Sequence, residues 1–166
     1  MSQLRRFRAA ALLFKGLAVP VAVLSLTATA ASAQPAGCTG PASGIWLNVA
    51  VEGVRNSRGL IAITLYADDA SRFLARKGSL YVGRIPAQAG TTRGCIFVPK
   101  AGVYAVAIYH DENASRGFDR TGLGLPAEGY GFANNPATLA GLPAFRSVRL
   151  GVPKANLTTH VSMKYP

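Results

Sequence analysis

From Ile45 onward the apolar residues of this chain recur at every second position, and no apolar stripe repeats at the three-to-four spacing of a long amphipathic helix. That pattern commits a chain to strands with one face buried. In 45–52, Ile45, Leu47, Val49 and Val51 share a face, while Trp46, Asn48 and Glu52 point the other way. Segment 60–66 is rich in β-formers, and Asn56-Ser57-Arg58-Gly59 before it reads as the turn of a hairpin joining the two. Segments 79–85, 94–98, 145–150 and 156–165 read as further strands. Segment 103–110 is apolar on both faces, with Val103, Ala105 and Ala107 on one and Tyr104, Val106 and Ile108 on the other. It therefore reads as a central strand covered on both sides. Only 67–77 breaks the rule, where Asp68, Asp69 and Ser71 offer an N-cap to a short helix or the polar groups of an ordered loop. The expected fold is an all-β antiparallel sandwich of about seven strands, immunoglobulin- or prealbumin-like, with one long loop.

The first 33 residues read as a signal peptide. Arg5, Arg6, Arg8 and Lys15 accompany an apolar run over 16–26, and Ala31-Ser32-Ala33 supplies the small residues before a cleavage point. Pro20 interrupts the run, which is shorter than the roughly 20 residues a membrane span needs. Cleavage would leave an arm, 34–43, and one domain, 44–166, periplasmic or secreted and without a transmembrane span. The leader takes four of the 18 Lys and Arg and none of the seven acids, so 14 basic side chains face seven acidic ones in the remainder. In an exported protein this charge points to an anionic envelope component, a glycan or another protein, and away from nucleic acid. No Lys/Arg run exceeds two residues, so a solvated basic surface explains the charge equally well. A monomer is expected. Cys38 and Cys95 are the only cysteines, and in an oxidising compartment two cysteines pair most simply with each other. Lipidation of Cys38 is the rival reading, but the Leu that normally stands three residues earlier is absent.

Between Asp111 and Pro143 the chain turns to Gly and Pro and loses its period. A stretch this long without structure is usually functional or disordered, and Phe118, Tyr130 and Phe132 offer anchors against disorder. Here Tyr104-Ala105-Val106 leads to His110-Asp111-Glu112-Asn113, then to Leu123-Gly124-Leu125-Pro126 and Glu128-Gly129-Tyr130-Gly131-Phe132. In these segments, and over roughly 44–165, the chain resembles the exported bacterial family DUF2141. The resemblance implies an exported β-sandwich and brings no activity with it.

Within the loop, Asp111, Asn113, Ser115 and Asp119 set oxygens at positions 1, 3, 5 and 9, as a calcium loop begins. Position 6 is Arg116 in place of the usual Gly, and position 12 is Gly122 in place of a bidentate Glu. The alternative is a loop whose Asp and Asn bond their own backbone amides. The expectation is thus no cofactor, or Ca2+ at this loop. The candidate binding residues are His110, Asp111, Glu112, Asn113, Glu128, Tyr130 and Phe132. No nucleophile elbow, zinc-protease helix, phosphate loop or dinucleotide fingerprint occurs. The chain accordingly reads first as a non-enzymatic binding module of the cell envelope using the 111–135 loop. A calcium-stabilised structural domain comes second, and a hydrolase with His110 as base and Asp111 or Glu112 orienting it comes third. His160 and Trp46 are secondary candidates, for a shared site with His110 and for a surface contact.

Overall fold

A computed structural model describes residues 37–166; the expected signal peptide lies outside them. One sheet has three strands in the order β10 (Leu157–Ser162), β1 (Ile45–Val54), β4 (Gly90–Val98). The other runs β3 (Tyr81–Pro86), β2 (Leu60–Ala67), β5 (Gly102–Asp111), β6 (Gly129–Phe132). β9 (Arg149–Val152) continues the β6 edge, so that β6 pairs with Ala107–His110 of β5 and β9 with Gly102–Ala105. A two-stranded hairpin, β7 (Thr138–Leu139) and β8 (Leu142–Pro143), stands apart.

The faces are those expected from the alternation. Leu47, Val49 and Val51 of β1, Ile96 and Val98 of β4 and Val161 of β10 meet Ile61, Ile63 and Leu65 of β2 and Tyr104, Val106 and Ile108 of β5 in one buried core. The outer face of β5 is buried as well. Ala105 and Ala107 join Tyr66, Phe132 and Val148 in a second cluster, with Phe73, Leu74, Tyr130 and Phe145 packed over it. Segment 68–80 covers part of this face as an ordered loop and not as a helix. Leu74 and Lys77 take positive φ, at 57° and 58°, which ends any helical run within a turn. All described strand pairs are antiparallel except β1 with β10, which run parallel.

Four local expectations are corrected. β1 and β2 do not form a hairpin: they belong to different sheets, and 56–59 carries the chain across the sandwich. Both strands turn their apolar faces to the same core from opposite sides, so they pack where a hairpin would pair. Gly59, at φ +66°, sits against the Asp111 carbonyl, where a Cβ would overlap it. The long loop contains a strand, β6, whose glycines hid it. A Cβ on Gly129 would overlap the Tyr165 ring, and one on Gly131 would lie 2.7 Å from Val161. These glycines let the C-terminal segment cross from one sheet to the other, and Tyr130 exchanges both backbone hydrogen bonds with Lys164. The long loop also holds the β7–β8 hairpin. Finally, 145–150 begins with a single 3-10 turn, Phe145–Ser147, before β9 starts at Arg149.

Cys38 and Cys95 are disulfide-bonded. The arm then adds Thr39 beside β4, its N–H donating to the Cys95 carbonyl at 3.0 Å and its carbonyl accepting from Phe97 at 3.0 Å. No helix among the described residues is long and apolar enough to cross a membrane.

Candidate functional site

β5 delivers His110 and Asp111 to the end of the sandwich, and both are fully buried. His110 has two hydrogen-bond partners, and the Glu112 carboxylate lies 3.7 Å from its Nδ1. Its Nε2 lies 2.8 Å from the Arg58 carbonyl, which can only accept, so this nitrogen carries the proton. Its Nδ1 lies 2.8 Å from the Tyr165 hydroxyl, which donates to it when the ring is neutral. Neither nitrogen is left to serve a substrate. The imidazole ties the 56–59 crossing to the C-terminal segment.

Asp111 closes the loop that follows. Its Oδ1 accepts from the Ser115 amide and its Oδ2 from the Arg116 amide, both at 2.8 Å. Asn113 accepts from the Ser115 amide at 3.0 Å and donates from its Nδ2 to Asp119 at 2.8 Å. The four residues expected to turn oxygens toward calcium are therefore bonded to one another and to their own amides. Among the described residues, no group of three or more His, Cys, Asp or Glu side chains is placed to hold a metal. His160 is apart from His110, exposed and paired with Glu52 at 2.8 Å.

Glu112 turns away from the loop and receives Arg55, Arg58 and Asn56, with Arg58 at 2.8 Å and Asn56 at 3.2 Å. Partial burial pushes its carboxyl up, but the hydrogen bonds from Arg55, Asn56 and Arg58 outweigh that and hold it down at about 2. A carboxyl held below its ordinary value of 4.5 stabilises the fold above that pH, and the contribution is lost as pH falls toward 2. The ceiling is about 3 kcal/mol at 1.36 kcal/mol per unit. Because Arg55 and Arg58 are 46% and 73% exposed, solvent screening leaves about 1–2 kcal/mol. Glu112→Gln should therefore be less stable than the parent by that amount at pH 7 and equal to it near pH 2, measured by urea unfolding at both. An unchanged gap at pH 2 would remove the charge from the account.

Glu128, just before β6, is buried. Its Oε2 accepts from the Asp119 amide at 3.1 Å, while its Oε1 has no partner among the described residues. Burial raises its carboxyl; the Asp119 amide opposes this, and the Asp119, Asp111 and Glu112 charges add to it.

Beyond this polar end, the outer face of the five-stranded sheet carries a cleft of about 880 Å³. Its floor is Thr64 and Tyr66 of β2, Ala107 and Tyr109 of β5, and Tyr130 and Phe132 of β6. Segments 74–77, 116–120 and 141–142 form its walls. The rings make a continuous series: Tyr109 to Phe118 at 5.5 Å between centroids, Phe118 to Tyr130 at 6.5 Å, Tyr130 to Phe132 at 6.0 Å. Burial raises the phenols of Tyr66 and Tyr109, so both stay protonated donors at neutral pH. Arg76, Lys77, Arg116 and Arg120 also line the cleft, and no acidic side chain does.

Of the residues singled out from sequence, Tyr130 and Phe132 line this cleft, and the Asp111 loop sets its 116–120 wall. His110, Asp111, Glu112, Asn113 and Glu128 bond protein groups at the sandwich end. Trp46 does not line the cleft. Sequence reasoning passed over Tyr66, Tyr109, Arg76, Lys77 and Arg120. Tyr109 continues the outer face of 103–110, and Arg116 and Arg120 flank Phe118, so part of the signal was present.

No curated protein and no solved structure matches the chain. A family profile does, over residues 49–160, from β1 through the polar end and the cleft to β10. The chain belongs to the family described as uncharacterized protein conserved in bacteria, DUF2141.

Proposed function

We propose that this chain is an exported, non-enzymatic binding module of the cell envelope that takes a ligand in the cleft beside its 111–135 loop. The observation that carries the reading is the cleft itself: an aromatic floor and four cationic side chains without an acid among the lining residues. Its volume lies within the range of small-molecule sites. The scaffold beneath is a strand buried on both faces, so the floor is rigid while the walls are loops, a division common to binding sites built on sandwiches. The residues nearest to an acid–base set, His110 with Asp111 and Glu112, are taken up by protein partners. They account for the shape of the loop and leave the cleft to bind.

Ligand-observed NMR against a panel of saccharides, aromatic acids and fatty acids tests this. Ligands that bind should weaken at least tenfold in Phe118→Ala and should be recovered chemically unchanged after hours with the protein. Affinities untouched by Phe118→Ala would place binding elsewhere, and turnover of a bound compound would replace the module with an enzyme.

A further inference from the structure

We propose that the ligand is an acidic saccharide, a sugar ring bearing a carboxylate or a phosphate; this rests on the binding-module reading above. Three features of the cleft converge on that chemistry. The first is charge. The side chains of Arg76, Lys77 and Arg116 are exposed and have no hydrogen-bond or ion-pair partner among the described residues. Elsewhere Arg149 is paired with Asp68 and both Arg55 and Arg58 with Glu112, while Arg93 and Arg146 are exposed and unpaired but isolated; among the described residues, only at the cleft do such cations gather around one concavity. Three unpaired cations and a fourth, Arg120, around one concavity with no acid on its lining create a field for an anion. Guanidinium groups bind carboxylate and phosphate through paired hydrogen bonds.

The second feature is the hydroxyls. Thr64, Tyr66 and Tyr130 line the cleft, and the side-chain hydroxyl of none of the three has a hydrogen-bond partner among the described residues. An acyl chain laid on this floor would leave those groups covered and unbonded, which is costly. A sugar exchanges hydroxyl for hydroxyl. The third feature is the rings: Phe118 and Tyr130 are only partly buried, with the Arg120 guanidinium over the Phe118 ring at 5.0 Å from its centroid, so that apolar ring surface for the C–H face of a pyranose and a cation for its acid group stand side by side. Anion, hydroxyl and apolar face together describe an acidic sugar better than they describe a lipid or a plain aromatic acid.

The test is calorimetric titration of the purified protein with trigalacturonate, glucose 6-phosphate, cellotriose, palmitate and inorganic phosphate. An acidic sugar should bind at least tenfold more tightly than cellotriose and than inorganic phosphate. Its affinity should fall at least tenfold in Lys77→Ala/Arg116→Ala, whose exposed side chains leave the fold intact, and should fall again with added salt. The trigalacturonate and glucose 6-phosphate arms separate a carboxylate from a phosphate source. Cellotriose or palmitate binding in a Phe118-dependent way, with neither acidic sugar bound, would overturn this ligand class and leave the binding module standing. No Phe118-dependent binding by any of the five would overturn both.

Discussion

His110→Ala is expected to lower the unfolding free energy by about 3–4 kcal/mol, the cost of a buried cavity plus two stranded polar groups. The imidazole is completely enclosed. Without it the Arg58 carbonyl loses its donor and the Tyr165 hydroxyl loses its acceptor. Tyr165→Phe should cost less, about 1 kcal/mol, because it removes one member of the pair and creates little space. The double variant should cost less than the sum of the two, since the second change removes a group already unsatisfied. Urea unfolding of the four proteins measures all three quantities. A loss below about 1 kcal/mol for His110→Ala, the net worth of a single ordinary hydrogen bond, would contradict a structural role for the imidazole. It would make the residue a candidate for acid–base chemistry again.

The second large effect concerns the N-terminal arm. The Cys38–Cys95 bridge closes a loop of 57 residues, for which chain entropy gives about 4 kcal/mol of stabilisation. Cys38→Ser/Cys95→Ser should lose up to that amount under oxidising conditions while keeping its strand content, because the side chains of β1, β2, β4, β5 and β10 bury one another in the core between the sheets. A reducing agent should bring the parent down to the variant and leave the variant where it was. Equal stability of parent and variant without reductant would mean that the bridge does not form.

How much of this was legible beforehand follows from what each signal encodes. A period of two fixes which side chains share a face: it set Leu47, Val49 and Val51 together on the buried face of β1 and marked β5 as covered on both sides, as the two clusters on its faces bear out. It carries no information on which strand lies alongside. That is why 56–59 reads equally well as a hairpin turn and as a crossing between sheets, and why the parallel pairing of β1 with β10 left no trace. β6 was missed for a related reason. Gly129 and Gly131 look like loop residues until Tyr165 and Val161 are seen lying against them. The polar loop was half legible: the spacing of Asp111, Asn113, Ser115 and Asp119 showed that oxygens alternate, and only the backbone conformation decided what they bond. Positive φ at Ala114 and Arg116 belongs to the tight path that brings the amides of Ser115 and Arg116 to the Asp111 carboxylate.

The cleft lies furthest from anything a linear reading can reach. Its cations come from 76–77 and 116–120, its floor from three strands, and its edge from 141–142, segments with no common motif. Local patterning in the chain establishes the all-β class, the inner face of β1, the doubly covered central strand, the pairing of two cysteines and the resemblance to the family. Tertiary structure alone decided strand neighbours, the hidden strand β6, the enclosure of His110 and the gathering of unpaired cations over an aromatic floor. The physical reason is one of range. Side-chain alternation is a local property of the backbone, whereas neighbours, enclosure and electrostatic fields are set by residues that meet only after the chain has folded.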